Sequence, residues 1–208
     1  MATIYQLKPR FQSLLRPAVR HCASAGISAN GVTLAAMLLS LALGAWLCTA
    51  DGQRVRFLLL PLWMLLRMAF NAIDGMLARE FGQKSALGAY LNELSDVVSD
   101  AALYLPFMFI APFNWWSVGA VIFFSALSEM AGAMAPMIGA ARRYDGPMGK
   151  SDRAFVFGVL GLWVGMTPSL PDRSFWLMPA LTAAILLNIF NRIRGGMASV
   201  QLPGSTSE

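Results

Sequence analysis

Long apolar runs separated by short polar links dominate the chain from residue 31 onward. Six runs stand out, at 31–50, 56–79, 87–111, 115–140, 153–168 and 174–192. Most approach the ~20 residues a helix needs to cross hydrocarbon, and the fifth is the shortest. The pattern predicts six membrane-spanning helices. A transmembrane β-barrel would show short alternating segments instead, and none is evident. Upstream, IYQLKPRFQSLLRPAVR at 4–20 places Ile4, Leu7, Phe11, Leu14, Leu15 and Ala18 at helical spacing, with Lys8, Arg10, Arg16 and Arg20 among them. This predicts an amphipathic helix lying in the membrane interface, broken or bent near Pro17. Asn30 is the expected N-cap of the first spanning helix. The expected organisation is an interfacial helix and link at 1–27, a six-helix membrane domain at 28–194 and a disordered polar tail at 195–208. The fold class is therefore an all-α integral membrane protein.

Composition agrees. Hydrophobic residues make up 57% of the chain and charged residues 13%, against about a quarter charged in a soluble domain. Cys22 and Cys48 fit no CxxC spacing and read as unpaired thiols. His21 has no neighbours at ligand spacing, so it makes no metal site. No cleavable signal peptide is expected. The net charge of +5 does not imply nucleic acid, because the basic residues flank apolar runs and form no aromatic-studded platform. Twelve Lys and Arg residues fall on the side shared by the two termini, and Arg54, Arg56 and Arg173 fall on the other. Arg67 lies inside the second run. The positive-inside rule places both termini in the cytoplasm, which in a bacterium means a protein of the inner membrane.

Acidic residues interrupt the apolar pattern chiefly in the second and third runs. Arg67, Asn71, Asp74 and Ala78 share one face of the second helix. Asn92, Asp96 and Asp100 share a face of the third, and Glu93 borders it. Gly75 removes a side chain beside Asp74. The link EFGQKSA is short, so the two helices are antiparallel neighbours with these faces together, near the cytoplasmic surface. Charge inside a membrane is costly and by default marks a functional site. Crowded carboxylates persist when protonated, paired with cations or bound to metal. Oxygen-only donors suit Mg²⁺ or Mn²⁺ rather than zinc, and such an ion holds phosphate oxygens. The competing reading is a helix-packing network in which Arg67 or Arg79 neutralises Asp74.

These residues carry a resemblance to the CDP-alcohol phosphotransferases, whose signature is D-x2-D-G-x2-A-R-x8–9-G-x3-D-x3-D. The chain reads Asn71-x2-Asp74-Gly75-x2-Ala78-Arg79-x8-Gly88-x3-Asn92-x3-Asp96. The spacing holds throughout; the first and third aspartates are Asn71 and Asn92. SANGVTL at 28–34 is similar to the family's entry into its first span. The resemblance implies a homodimeric membrane transferase. It would move a phosphatidyl group from CDP-diacylglycerol to a small polar alcohol, with release of CMP, in phospholipid biosynthesis. It implies two divalent metals held by the four signature aspartates, with Asp74 and Asp96 as ligands here and Asp96 also as the base. Gly75, Ala78, Arg79 and Gly88 would face the nucleotide. Asn71 and Asn92 coordinate through amide oxygens in this reading, each with one negative charge fewer than the family's aspartate.

Glu93 and Asp100 are the expected compensating ligands; alternatively Arg67 takes over part of the phosphate charge and one metal remains. A register with Asp96 and Asp100 as the last two aspartates is possible, but it spoils the Arg-to-Gly spacing. ARRYDGPMGKSDRAF at 141–155 supplies Arg142, Arg143, Lys150 and Arg153. This is either ordinary positive-inside charge or, as the resemblance suggests, a site for an acceptor's phosphate. Glu129 pairs with an Arg or lines the acceptor pocket. Asn188, Asn191 and Arg192 are expected as helix-end or packing residues. A non-catalytic CDP-lipid-binding relative is the alternative function.

Overall fold

The structure, a computed structural model, describes residues 4–49 and 52–200, with side chains from residue 11 onward. Among the described residues there are seven α-helices and no strand. They are α1 (Ile4–Ser24), α2 (Ala29–Cys48), α3 (Leu59–Glu80), α4 (Ala86–Tyr104), α5 (Trp115–Met134), α6 (Lys150–Met166) and α7 (Leu177–Ala198). Short 3₁₀ turns lead into α3 and α7 and follow α4 and α5. Each of the six apolar runs coincides with one of α2 to α7.

Four of these, at 29–48, 54–80, 115–138 and 172–198, are long and apolar enough to cross a membrane by length and composition. α4 carries Glu93, Asp96 and Asp100, and α6 has only 17 residues, so these two do not qualify by composition alone. Membrane crossing by all six remains the expectation from the sequence.

Packing runs in pairs. α2 lies along α4, α5 along α7 and α3 along α6, while α1 and α2 also pack on α3. The core holds a stacked pair, Tyr104 and Phe157, with ring centroids 3.7 Å apart. Phe57 and Phe107 meet edge to face beside them. At the α2–α4 contact Gly44 has no room for a side chain, because a Cβ there would collide with the Ala102 carbonyl. Large apolar side chains such as Leu38, Phe123, Val159 and Leu187 point outward, as a lipid-facing surface requires.

Three expectations need correction. The cap of α2 is Ser28, not Asn30. Ser28 has extended backbone (φ −84°, ψ 154°), and its Oγ accepts from the Gly31 N–H at 3.1 Å. Asn30 already lies in the first turn. α1 does not break at Pro17 but stays helical to Ser24. A mid-helix proline costs about 3 kcal/mol; here Val19, with Leu15 and Cys22, is buried against Ile73, Met76 and Leu77, which holds the helix together. Leu15, Val19 and Cys22 of α1 are thus spent on α3, while Leu14 stays exposed. Lastly, α7 continues to Ala198, past the expected start of the tail; residues 201–208 lie outside the described residues.

Candidate active site

The α3–α4 hairpin is fixed by its caps. Ser85 starts α4, its Oγ accepting from the Gly88 N–H at 2.9 Å. Gln83, in the link, accepts from the Ala29 N–H at 2.6 Å and so ties the hairpin to the start of α2. Between these elements opens a cavity of about 670 Å³. Asn71, Asp74, Gly75, Ala78 and Arg79 line it from α3, and Gly88, Asn92 and Glu93 from α4. Asn30 and Thr33 line it from α2, and Arg142 and Tyr144 from the loop before α6.

Asp74 is 4% exposed and accepts from the Thr33 hydroxyl at 2.8 Å. It has no ion-pair partner among the described residues, so neither Arg67 nor Arg79 neutralises it directly. Asp96 is different. Its Oδ1 accepts from the Asn71 amide at 3.3 Å and from Arg67 at 3.4 Å, and its Oδ2 pairs with the Lys150 ammonium. Arg67 also donates to the Asp96 main-chain carbonyl at 3.0 Å. Glu93 pairs with Arg142, whose guanidinium lies over the Tyr144 ring, 5.1 Å from its centroid.

The two glycines leave space that neighbouring side chains now occupy. A Cβ on Gly75 would stand 3.0 Å from the Arg79 guanidinium, and one on Gly88 would stand 2.7 Å from the Asn30 Oδ1. Arg79 therefore folds back across Gly75 at the cavity wall.

Asp96 is not itself among the residues that line the cavity, and neither is Asp100. Arg67 takes its Oδ1, and Arg153 donates to its Oδ2 at 3.2 Å. Its place as a compensating metal ligand is corrected: a carboxylate one turn beyond Asp96 points into the core, where two guanidinium groups engage it. The basic loop divides in the same way. Arg142 lines the cavity and Lys150 is paired with Asp96, but Arg153 is 1% exposed, held between Glu129 at 2.9 Å and Asp100. No soluble phosphate reaches it. Arg143 is clipped by both carboxylate oxygens of Asp145, at 2.6 and 2.9 Å. That bond holds the Asp145 carboxyl below the usual carboxylate range.

Glu129 resolves as an ion-pair hub for Arg153, Arg142 and Arg192. Asn188 accepts from Ser128 at 2.7 Å and donates to the Asp145 carbonyl at 3.0 Å, a packing role as expected. Sequence reasoning missed Thr33 as a partner of Asp74. The only signal was a hydroxyl in an apolar run, one turn past the Ser28 cap.

A chain whose described residues form only helices, four of them able to cross a bilayer, with a cavity at one hairpin, is an integral membrane protein. The chain belongs to the CDP-alcohol phosphatidyltransferase family, whose sequence profile matches residues 27–190. The resemblance carried by the signature is thereby borne out. The chain is 46% identical to the inner membrane protein YnbA of Escherichia coli strain K12 over 192 residues, covering 92% of this chain and 95% of that one. It is 36% identical over 102 residues to an uncharacterized protein of Aquifex aeolicus strain VF5, covering 49% and 48%. Its fold matches the phosphatidylinositol phosphate synthase PgsA1 of Mycobacterium tuberculosis at 20% identity. The TM-score is 0.71 with the manganese and citrate complex, covering 92% of this chain and 91% of that one. It is also 0.71 with the CDP-DAG complex, covering 92% and 96%.

Proposed function

We propose that the protein transfers a phosphatidyl group from CDP-diacylglycerol to a small polar alcohol, releasing CMP, as a step of phospholipid biosynthesis. One observation carries this reading: Asn71, Asp74, Gly75, Ala78, Arg79, Gly88 and Asn92, at the family's spacing, line a single cavity, and Asp96 accepts from Asn71 in its wall. The crystallised PgsA1, of the same fold, holds CDP-DAG. The cavity opens on the side of the basic loops, which the charge count assigns to the cytoplasm together with both termini. The protein sits in the cell's inner membrane in this reading, as the name of the Escherichia coli relative supports. The family resemblance adds a homodimer.

The donors fit a hard divalent ion, Mg²⁺ or Mn²⁺; PgsA1 has been crystallised with manganese. Asp74 lacks a cationic partner, and Asn71 keeps its carbonyl oxygen while its amide nitrogen donates to Asp96. Asp74, Asn71 and Asn92 would hold the ion. When bound, it supplies positive charge to the diphosphate and its leaving group.

The chain's own groups do the rest. Arg79, folded over Gly75, swings onto the diphosphate as the nucleotide enters. Gly75, Ala78 and Gly88 leave room for the nucleotide. Arg67 and Lys150 hold the Asp96 carboxylate in place, and Asp96 is the group that accepts the proton of the acceptor hydroxyl as Lys150 gives way. The acceptor oxygen bonds to the β-phosphorus, the bond to the CMP oxygen breaks, and CMP leaves with the electron pair. Arg142 is the basic residue of the loop that lines the cavity, and it favours a phosphorylated acceptor. Arg143 and Arg153 take no part.

A second reading is favoured by the full engagement of Asp96: a CDP-lipid-binding protein without turnover. The test is CMP release from CDP-diacylglycerol in detergent micelles with Mg²⁺ or Mn²⁺, across a panel of alcohols, with mass spectrometry of the lipid product. Release with a new lipid supports transfer. Binding of the CDP-lipid without release under any acceptor supports the second reading.

A further inference from the structure

The cavity and the core behind it form one electrostatic unit. Five acids, Asp74, Glu93, Asp96, Asp100 and Glu129, face five bases, Arg67, Arg142, Lys150, Arg153 and Arg192. Four of the five acids have ion pairs, and Asp74 is the exception. These ten groups cancel one another before any ion binds, and Arg79 and Lys84 on the cavity wall add positive charge. A diphosphate brings two negative charges, and one divalent ion cancels them. A second ion would add two more positive charges to a site that Arg79 and Lys84 already make positive, which is unfavourable.

Asp96 shows where the second ion is dispensed with. Both its oxygens are taken, one by Arg67 and the Asn71 amide, the other by Lys150. Arg67 is not free to leave, since Asp100 and the Asp96 carbonyl hold its other donors. An aspartate at position 71 would repel Asp96 unless a cation lay between them. Asn71 instead donates an N–H, so no ion is needed there.

We infer that the cavity works with a single divalent ion, held at Asp74, and that Lys150 with Arg67 carry at Asp96 the charge a second ion would carry. This rests on the proposed transfer site. The test counts ions rather than turnover: Mn²⁺ is titrated into the purified full chain in detergent with CDP-diacylglycerol, and free Mn²⁺ is read by electron paramagnetic resonance. One bound Mn²⁺ per chain, lost in Asp74→Asn, is the expected result. Asn71→Asp combined with Lys150→Met is expected to raise the count to two. Two ions in the unmodified chain, none, or one that survives Asp74→Asn overturns the inference. The two readings fail separately: one ion bound without CMP release sinks transfer but not the single ion, and release with two ions bound does the reverse.

Discussion

Thr33 and Asp74 show how much one hydroxyl can matter inside a membrane. The 2.8 Å bond fixes a carboxylate that has no counter-cation of its own. Hydrogen bonds to charged groups are worth about 1.5–3 kcal/mol. Thr33→Val is expected to slow CMP release by roughly tenfold or more, since about 1.4 kcal/mol is one decade; Thr33→Ser, which keeps the donor, is expected to restore it. A kinetic comparison of the two variants checks this. Asp100 makes the opposite point. It lies on the predicted stripe but faces Arg67 and Arg153, so its work is to keep two buried guanidinium groups paired. Asp100→Ala leaves both short of a partner and is expected to cost about 3–5 kcal/mol of stability, measured by thermal unfolding in detergent. If Asp100→Ala left the unfolding temperature unchanged while abolishing ion binding, the ligand role would return. Helical spacing made Asp74 and Asp96 legible from sequence. It could not separate Asp96 from Asp100, because residues four apart share a stripe whatever lies opposite.

Among the elements, the loop after α5 and the first turn of α6 were the hardest to read. Four basic residues within twelve positions look alike in sequence, yet Arg142 lines the cavity, Lys150 pairs with Asp96, Arg143 is clipped by Asp145 and Arg153 is buried. The fate of each depends on partners from other elements, such as Glu93, Glu129 and Asp100. The Arg143–Asp145 clip has a pH signature. Because the folded Asp145 carboxyl lies below its unfolded value, the clip contributes at neutral pH. That contribution fades as pH falls through the ordinary carboxylate range to the lower folded value. Asp145 is 40% exposed, so the gain stays within about 1 kcal/mol. The difference in unfolding between Asp145→Asn and the parent should be present at pH 7 and shrink steadily as pH falls through the carboxylate range. The helix starts teach a smaller lesson. A cap needs an extended backbone as well as a side-chain oxygen, and at the start of α2 Ser28 has both.

At the scale of the molecule, α4 falls short of a spanning helix by its acids and α6 by its length, and their charges are satisfied by each other, by α3 and α5 and by Arg142 of the loop before α6. If all six helices cross, positions 53 and 171 lie on the face opposite Lys84 and Tyr144. Single-cysteine labelling from each side, in a chain lacking Cys22 and Cys48, is expected to find positions 53 and 171 protected together while 84 and 144 react. The sequence by itself determined the helical class, the six apolar runs and the signature spacing, because hydrophobicity and helical period are local properties that survive without knowledge of the fold. Tertiary structure decided which acid meets which base: Arg67 with Asp100, Arg153 with Glu129 and Lys150 with Asp96 are 33, 24 and 54 residues apart. Coulomb energy depends on separation in space and on the polarity around the pair, and only the packed bundle sets either.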